Sequence, residues 1–239
     1  MNLLSGALVL VQAVAIAPLD QRGSSPVGDR AAAMPVPEVA REVVALPSLP
    51  TIGKWMLNGR LEVANWLGMK VRGKQVREPI NVIVVDRLAG SAEEATRRLV
   101  DGLKTVGYGV VGGHSSGYNA IIGGRVLGQL PAGEREAFAD GPPNQGSDHG
   151  RFFGPFPLER GFLFTGAFSL EVVSRQVAGH LYGSFDHARD DLATRLDEAT
   201  AYHVAGYVGV ENAIVGNPVF TTGDHDGVAV LLEASLQVR

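Results

Sequence analysis

Two short stretches concentrate the side chains able to do chemistry. Near the C-terminus, Thr-Thr-Gly-Asp-His-Asp-Gly at 221–227 sets Asp224, His225 and Asp226 between two glycines. Earlier, Gly-Ser-Asp-His-Gly-Arg-Phe-Phe-Gly-Pro at 146–155 carries Asp148, His149 and Arg151. Imidazoles flanked by carboxylates suit a divalent metal such as zinc, which takes nitrogen and oxygen donors. If folding unites His149, His180, Asp224, His225 and Asp226, a metal there would lower the pKa of its water. That would make a nucleophile for an ester or phosphate. Within the earlier stretch, Asp148 can orient His149 through a ring nitrogen, and Arg151 can grip a carboxylate or phosphate with two donors. The ligands follow no ordered spacing such as H-E-x-x-H, and Asp beside Gly also favours a tight turn. A buried ion pair at Arg151 and a plain turn at 223–227 stay open alongside the metal reading.

A third candidate is Gly-Gly-His-Ser-Ser-Gly-Tyr at 112–118. A glycine-rich turn bearing hydroxyls can present backbone N–H groups to an anion, so His114 and Ser115 join Arg151 as a possible anion or small-ligand set. The phosphate-loop pattern is missing and no dinucleotide fingerprint lies between a strand and a helix, so a flexible strand-connecting loop is the better explanation of the stretch. His187, in Phe-Asp-His-Ala-Arg-Asp-Asp, falls on an exposed first turn of a helix, and His203 beside Tyr202 reads as structural.

The elements that must position these residues are partly legible. Pro-Ile-Asn-Val-Ile-Val-Val-Asp at 79–86 is a β-branched apolar run suited to a buried strand. Ser91 and Glu94 form a capping box that opens a helix; Ala92, Ala95, Leu99, Leu103 and Val106 share one face, and Gly107 closes it. A second helix over 184–200 turns Phe185, Ala188, Leu192, Leu196 and Ala199 inward. Gly-Phe-Leu-Phe-Thr-Gly-Ala-Phe-Ser-Leu-Glu-Val-Val at 161–173, and the stretches 202–210 and 227–238, read as strands, with 130–150 as a loop region. The expected fold is α+β: a mixed β-sheet with a few packed helices over 79–239, preceded by a hydrophobic helix and a linker.

The N-terminal third points to a membrane. Residues 1–19 carry no charged side chain and suit a signal peptide ending at Ala15-Ile16-Ala17, or an uncleaved anchor of roughly 25 Å. The extracytoplasmic side is slightly favoured, while Arg22 and Arg30 after the run keep the cytoplasmic side open. Residues 20–52 read as a Pro/Gly/Ala-rich linker with a short helix near 38–45. Residues 53–78 hold both tryptophans and then Lys70, Arg72, Lys74 and Arg77, the pattern of an amphipathic helix lying on a membrane interface or on its own domain. A formal charge of −4 excludes the basic footprint of a nucleic-acid binder. With no cysteine, disulfides and thiolate metal sites are excluded too.

Several fragments in order, Pro-Ile-Asn-Val-Ile-Val-Val-Asp, Asp-His-Gly-Arg-Phe-Phe, Phe-Thr-Gly-Ala-Phe-Ser-Leu-Glu, His-Leu-Tyr-Gly-Ser-Phe-Asp-His-Ala-Arg-Asp-Asp and Thr-Thr-Gly-Asp-His-Asp-Gly, resemble the C-terminal domain of LssY-like bacterial proteins. The resemblance covers roughly 79–236. It places His149-Gly150-Arg151-Phe152 at a His-x-Arg-aromatic element and His180 at a later histidine. Arg189-Asp190 falls at a helix start, and Thr222 to Gly227 at a terminal turn that carries extra residues. It implies a domain of membrane-associated proteins without an established activity, with His149, Arg151, His180 and Asp226 clustered. The expected role is a membrane-tethered accessory or binding domain, a candidate subunit of a larger membrane complex, with room for a small-molecule ligand. A metal-dependent hydrolase is the alternative.

Overall fold

The run after Pro79 has no helical period, and its side chains alternate between two apolar environments. That is the signature of a strand covered on both faces. The computed structural model of the protein describes residues 42–64, 70–71, 74–75, 77–142, 145–174, 179–214 and 225–235. In chain order the strands are β1 (Val43–Val44), β2 (Ile52–Gly53), β3 (Lys70–Val71), β4 (Lys74–Gln75), β5 (Val82–Asp86), β6 (Gly109–Gly112) and β7 (Asn119–Ile122). There follow β8 (Arg125–Leu130), β9 (Glu136–Ala139), β10 (Ser147–Pro157), β11 (Phe162–Ser174), β12 (Gly179–Ser184), β13 (His203–Gly209) and β14 (Val228–Ala234). Helix α1 (Ala92–Thr105) follows β5, and α2 (Phe185–Ala199) follows β12.

The main sheet runs β1-β2-β7-β8-β10-β11-β5-β14-β13, and β3 with β4 forms a separate hairpin. Its two long central strands each serve two neighbours on one edge. β10 pairs with β9 through His149 and Gly150 and with β8 through Phe152 and Phe153. β11 pairs with β5 over Phe162–Gly166 and with β12 from Leu170 onward. This forking lets the sheet curl into a half-barrel. β5 and β14 are parallel and the other pairs antiparallel, so the sheet is mixed and the fold α+β.

Alternation along β5 divides the molecule into two cores. Val82 and Val84 join Leu99 and Leu103 of α1 and Leu192 and Leu196 of α2 on the helix face. Ile83 and Val85 meet Ile52, Met56, Ile122 and Phe153 on the opposite face. Each of these leucines gains roughly 1.5–3 kcal/mol from burial. Ser91 caps α1 by accepting the Glu94 N–H at 3.1 Å, and Gly107, at φ +91°, takes the left-handed conformation that ends the helix. Ser184 caps α2 in the same way through the His187 N–H at 3.0 Å. Asp86, at the end of β5, accepts the backbone N–H groups of Leu88 and Ala89, the Arg98 guanidinium and the Tyr202 hydroxyl, which fixes how α1 leaves the sheet.

Three expectations change. The described residues of 53–78 form no helix. Ile52–Gly53 pairs in the sheet, and Trp55, Met56 and Leu57 are all buried, with Met56 in one cluster and its two neighbours in others. That period of two is a strand pattern. The Asn58 side chain then accepts from Arg60 and Glu62 N–H groups in a local turn, which breaks any helical continuation. The end of the expected linker belongs to the sheet, as β1 and the buried Leu46 show, and its described part, from Glu42, is not helical. Within 130–150, expected as a loop region, Glu136–Ala139 forms β9 and residues 147–150 open β10, whose backbone pairs with β11 from Ser147↔Glu171 onward. The apolar run at 1–19, most of the linker and Trp66 lie outside the described residues; among the described residues no helix is long and apolar enough to cross a membrane.

Candidate functional site

Because β10 is a strand, neighbouring side chains of Asp148-His149-Gly150-Arg151 point to opposite faces of the sheet. Asp148 therefore does not orient His149. It joins Phe152 on the helix face, where its carboxylate lies 3.4 Å from the Tyr108 hydroxyl and 3.7 Å from Nε2 of His187. His149 and Arg151 share the opposite face, where the turn between β6 and β7 brings His114 and Ser115 against them.

This opposite-face cluster is polar yet buried. The His114 and His149 rings stack at 4.9 Å with 19° between planes. His149 Nε2 lies 3.4 Å from Oε1 of Glu171, the residue that the β11 alternation places on the same face. Arg151 is 2% exposed; its Nη2 donates to the Ser115 carbonyl at 2.6 Å and its guanidinium sits 4.8 Å over the Tyr118 ring. The Tyr118 hydroxyl is 2.8 Å from Ser115 Oγ. On the far side, Tyr182 of β12 donates to Glu78 at 2.6 Å. Burial pushes the Glu78 carboxyl up, against the lowering pull of Arg151 and of that hydrogen bond. Burial likewise raises the Tyr182 hydroxyl well above its usual range, and the Glu78 charge adds to it. Arg151 Nε is buried without a hydrogen-bond partner. Such a cluster can bind, orient and protonate a polar ligand, because donors surrounded by little water act at low effective dielectric.

The Gly-Asp-His-Asp-Gly stretch is used differently. His225 is fully buried, with Nδ1 3.0 Å from Asp186 and Nε2 2.8 Å from Asn212 Oδ1. The Asn212 amide nitrogen is committed to the carbonyls of Lys54 and Ile80, so its oxygen faces the imidazole, and Nε2 donates. Burial pushes the His225 pKa down, against the opposing influence of Asp186. Arg189 supplies the cation of this corner: Nη1 is 2.8 Å from Asp226 and 3.2 Å from Asp186, and Nε is 2.7 Å from Asp190. Against burial, which raises it, Arg189 holds the Asp226 carboxyl below its usual range. The network ties the first turn of α2 to the segment entering β14. A metal would compete with a guanidinium already in place.

Of the five residues considered as metal ligands, His225 and Asp226 meet in a group with Asp186 that offers three ligand atoms within 4.8 Å of one another; Asp140–Asp148–Asp191 is a second such group, and His149 belongs to neither. The side chain of His180, on β12, and the whole of Asp224 lie outside the described residues. Of the residues considered for an anion, Arg151 meets the Ser115 carbonyl and His114 stacks on His149. His187 is exposed as expected, and His203 pairs with Asp197 at 3.3 Å at the start of β13. Sequence reasoning passed over Glu78 and Glu171, and took Arg189 only as part of a helix start. For two of them a signal existed: Glu171 continues the inward series Leu163, Thr165, Ala167, Ser169, and Arg189 sits at helical spacing from Phe185, Leu192 and Leu196. No family model, curated protein or solved structure matches the chain.

Proposed function

We propose that the chain is a membrane-tethered binding domain, an accessory module of a larger membrane complex, in which Arg151, His149, His114 and Ser115 receive the carboxylate or phosphate of a small polar ligand. The observation that carries this reading is the buried Arg151 guanidinium with Nε left over, set among two imidazoles and a tyrosine. Removing a guanidinium from water costs several kcal/mol, and a hydrophobic replacement of such groups is often no less stable. A planar fork with a spare donor matches a carboxylate or phosphate. An open groove of ≈ 410 Å³, lined by Ser116, Gln129 and Glu134, reaches the cluster at Tyr118, which supports access for a small molecule. The tether rests on the charge-free run at 1–19 and on the resemblance to LssY-like bacterial proteins, with the extracytoplasmic side the favoured location.

Two measurements test the two halves. Full-length protein and a chain lacking residues 1–19 are sedimented with vesicles of mixed zwitterionic and anionic lipid; the first pellets and the second stays in the supernatant. Thermal melts are run with inorganic phosphate and with acetate. The wild type gains Tm with one of these anions and Arg151→Met does not. Equal pelleting of both chains, or a Tm unmoved by either anion, defeats the corresponding half.

A further inference from the structure

The alternation that sends His149 to one face leaves Asp148 buried on the other, in a place the anion reading does not use. Asp148 is 3% exposed. Its carboxylate is directed at the ends of two other acidic side chains: Asp140, just past β9, and Asp191, in the second turn of α2. One oxygen from each of the three lies within 4.8 Å of the others. Local partners engage four of the six carboxylate oxygens. Asp191 Oδ2 accepts from the Tyr108 hydroxyl at 2.9 Å and from Arg195 Nε at 2.8 Å. Asp140 Oδ1 accepts the Asp148 N–H at 3.0 Å, and its Oδ2 meets Arg195 Nη2 at 3.3 Å. Asp148 Oδ2 faces Tyr108 and His187, but Asp148 Oδ1 is buried without any hydrogen-bond partner.

Three carboxylates thus share one partly exposed guanidinium and one exposed imidazole. The deepest of them keeps an unsatisfied oxygen, which a folded protein ordinarily avoids. We propose that Asp140, Asp148 and Asp191 form a site for a hard divalent cation, Ca²⁺, Mg²⁺ or Mn²⁺, at the junction of β9, β10 and α2. Oxygen donors with few nitrogens select such ions, and His187, one helical turn before Asp191, can add a nitrogen for Mn²⁺. The ion would lock α2 to the sheet on the helix face, opposite the Arg151 cluster, so the site is independent of the anion reading.

The test uses the full chain after chelation, with Mn²⁺ and Ca²⁺ as probes. One equivalent of Mn²⁺ leaves the free-ion EPR signal of the wild type. Either ion at a hundredfold excess over its Kd raises Tm by roughly 5–10 °C. Asp148→Asn and Asp191→Asn each weaken binding at least tenfold while still melting cooperatively, and Asp226→Asn, at the other acidic corner, binds as the wild type does. A wild type whose Mn²⁺ signal and Tm are unmoved at millimolar ion overturns the proposal. So does Asp148→Asn retaining full affinity, or Asp226→Asn losing it.

Discussion

Asp148→Asn, measured without divalent ions, isolates the energetic consequence of burying that carboxylate. Burial, with Asp140 and Asp191 adding to it and His187 opposing, pushes its carboxyl from an ordinary 3.8 up to about 6. The native state therefore holds a proton that the unfolded chain releases near 3.8. Stability from this group is fully present below that pH and is lost as pH rises through about 6. A rise of this size corresponds at most to about 3 kcal/mol, and solvent screening beside exposed Asp140 reduces it to roughly 1–2 kcal/mol. Asparagine keeps the shape and an acceptor for Tyr108 but carries no charge. Urea unfolding in chelator from pH 4 to 9 should show wild type and variant converging at pH 4. By pH 8 the variant should be more stable by roughly 1–2 kcal/mol, about 2–8 °C in Tm. A variant less stable than wild type at pH 8, or a wild-type curve parallel to it across the window, refutes the reasoning.

Three further substitutions probe the frame around the sites. Gly150→Ala puts a methyl group into the Ala167 carbonyl and the Phe168 ring, a backbone clash that should cost roughly 3 kcal/mol or more in chemical denaturation. Arg189→Ala strands Asp186, Asp190 and Asp226; with two of these half exposed, a loss of roughly 2–3 kcal/mol is expected by thermal melt. Arg151→Met removes the positive charge that opposes the rise of the buried Glu78 carboxyl and should lose roughly 2–4 kcal/mol, much of it recovered in Glu78→Gln/Arg151→Met; a double variant no more stable than the single one argues against that electrostatic coupling.

Local signals carried much of this fold. Ser91, Glu94 and Gly107 bounded α1, and β-branching marked β5, because caps and strand alternation depend on residues a few positions apart. The Trp55 region misled for a physical reason. Apolar residues on both sides of a short strand look, in a sequence, like the broad apolar surface of a helix; only the pairing of Trp55 with Pro79 and of Leu57 with Asn119 separates them. The sites were legible by type and not by grouping. Arg151, His114 and Ser115 were picked for anion chemistry, and the strand register brings them together. His149 and His225 looked alike in sequence, each beside an aspartate, yet one lies in a strand and the other in a connection clamped by Arg189. Glu78 and Tyr182 meet across 104 positions, a distance no local pattern spans. Asp140, Asp148 and Asp191 converge only because β9 and α2 flank the same end of β10.

The reading of the Arg151 cluster as a ligand site is tested most directly at the Nε–H of Arg151, which is buried without a hydrogen-bond partner among the described residues. With ¹⁵N-arginine labelling, the Arg151 Nε–H resonance, assigned by its loss in Arg151→Lys, is followed as inorganic phosphate or acetate is added. The account predicts a saturable shift of that resonance with one of the two anions, while Arg189, enclosed by its three aspartates, stays still. An Arg151 signal that does not move with either anion, or one that moves no more than Arg189, contradicts it.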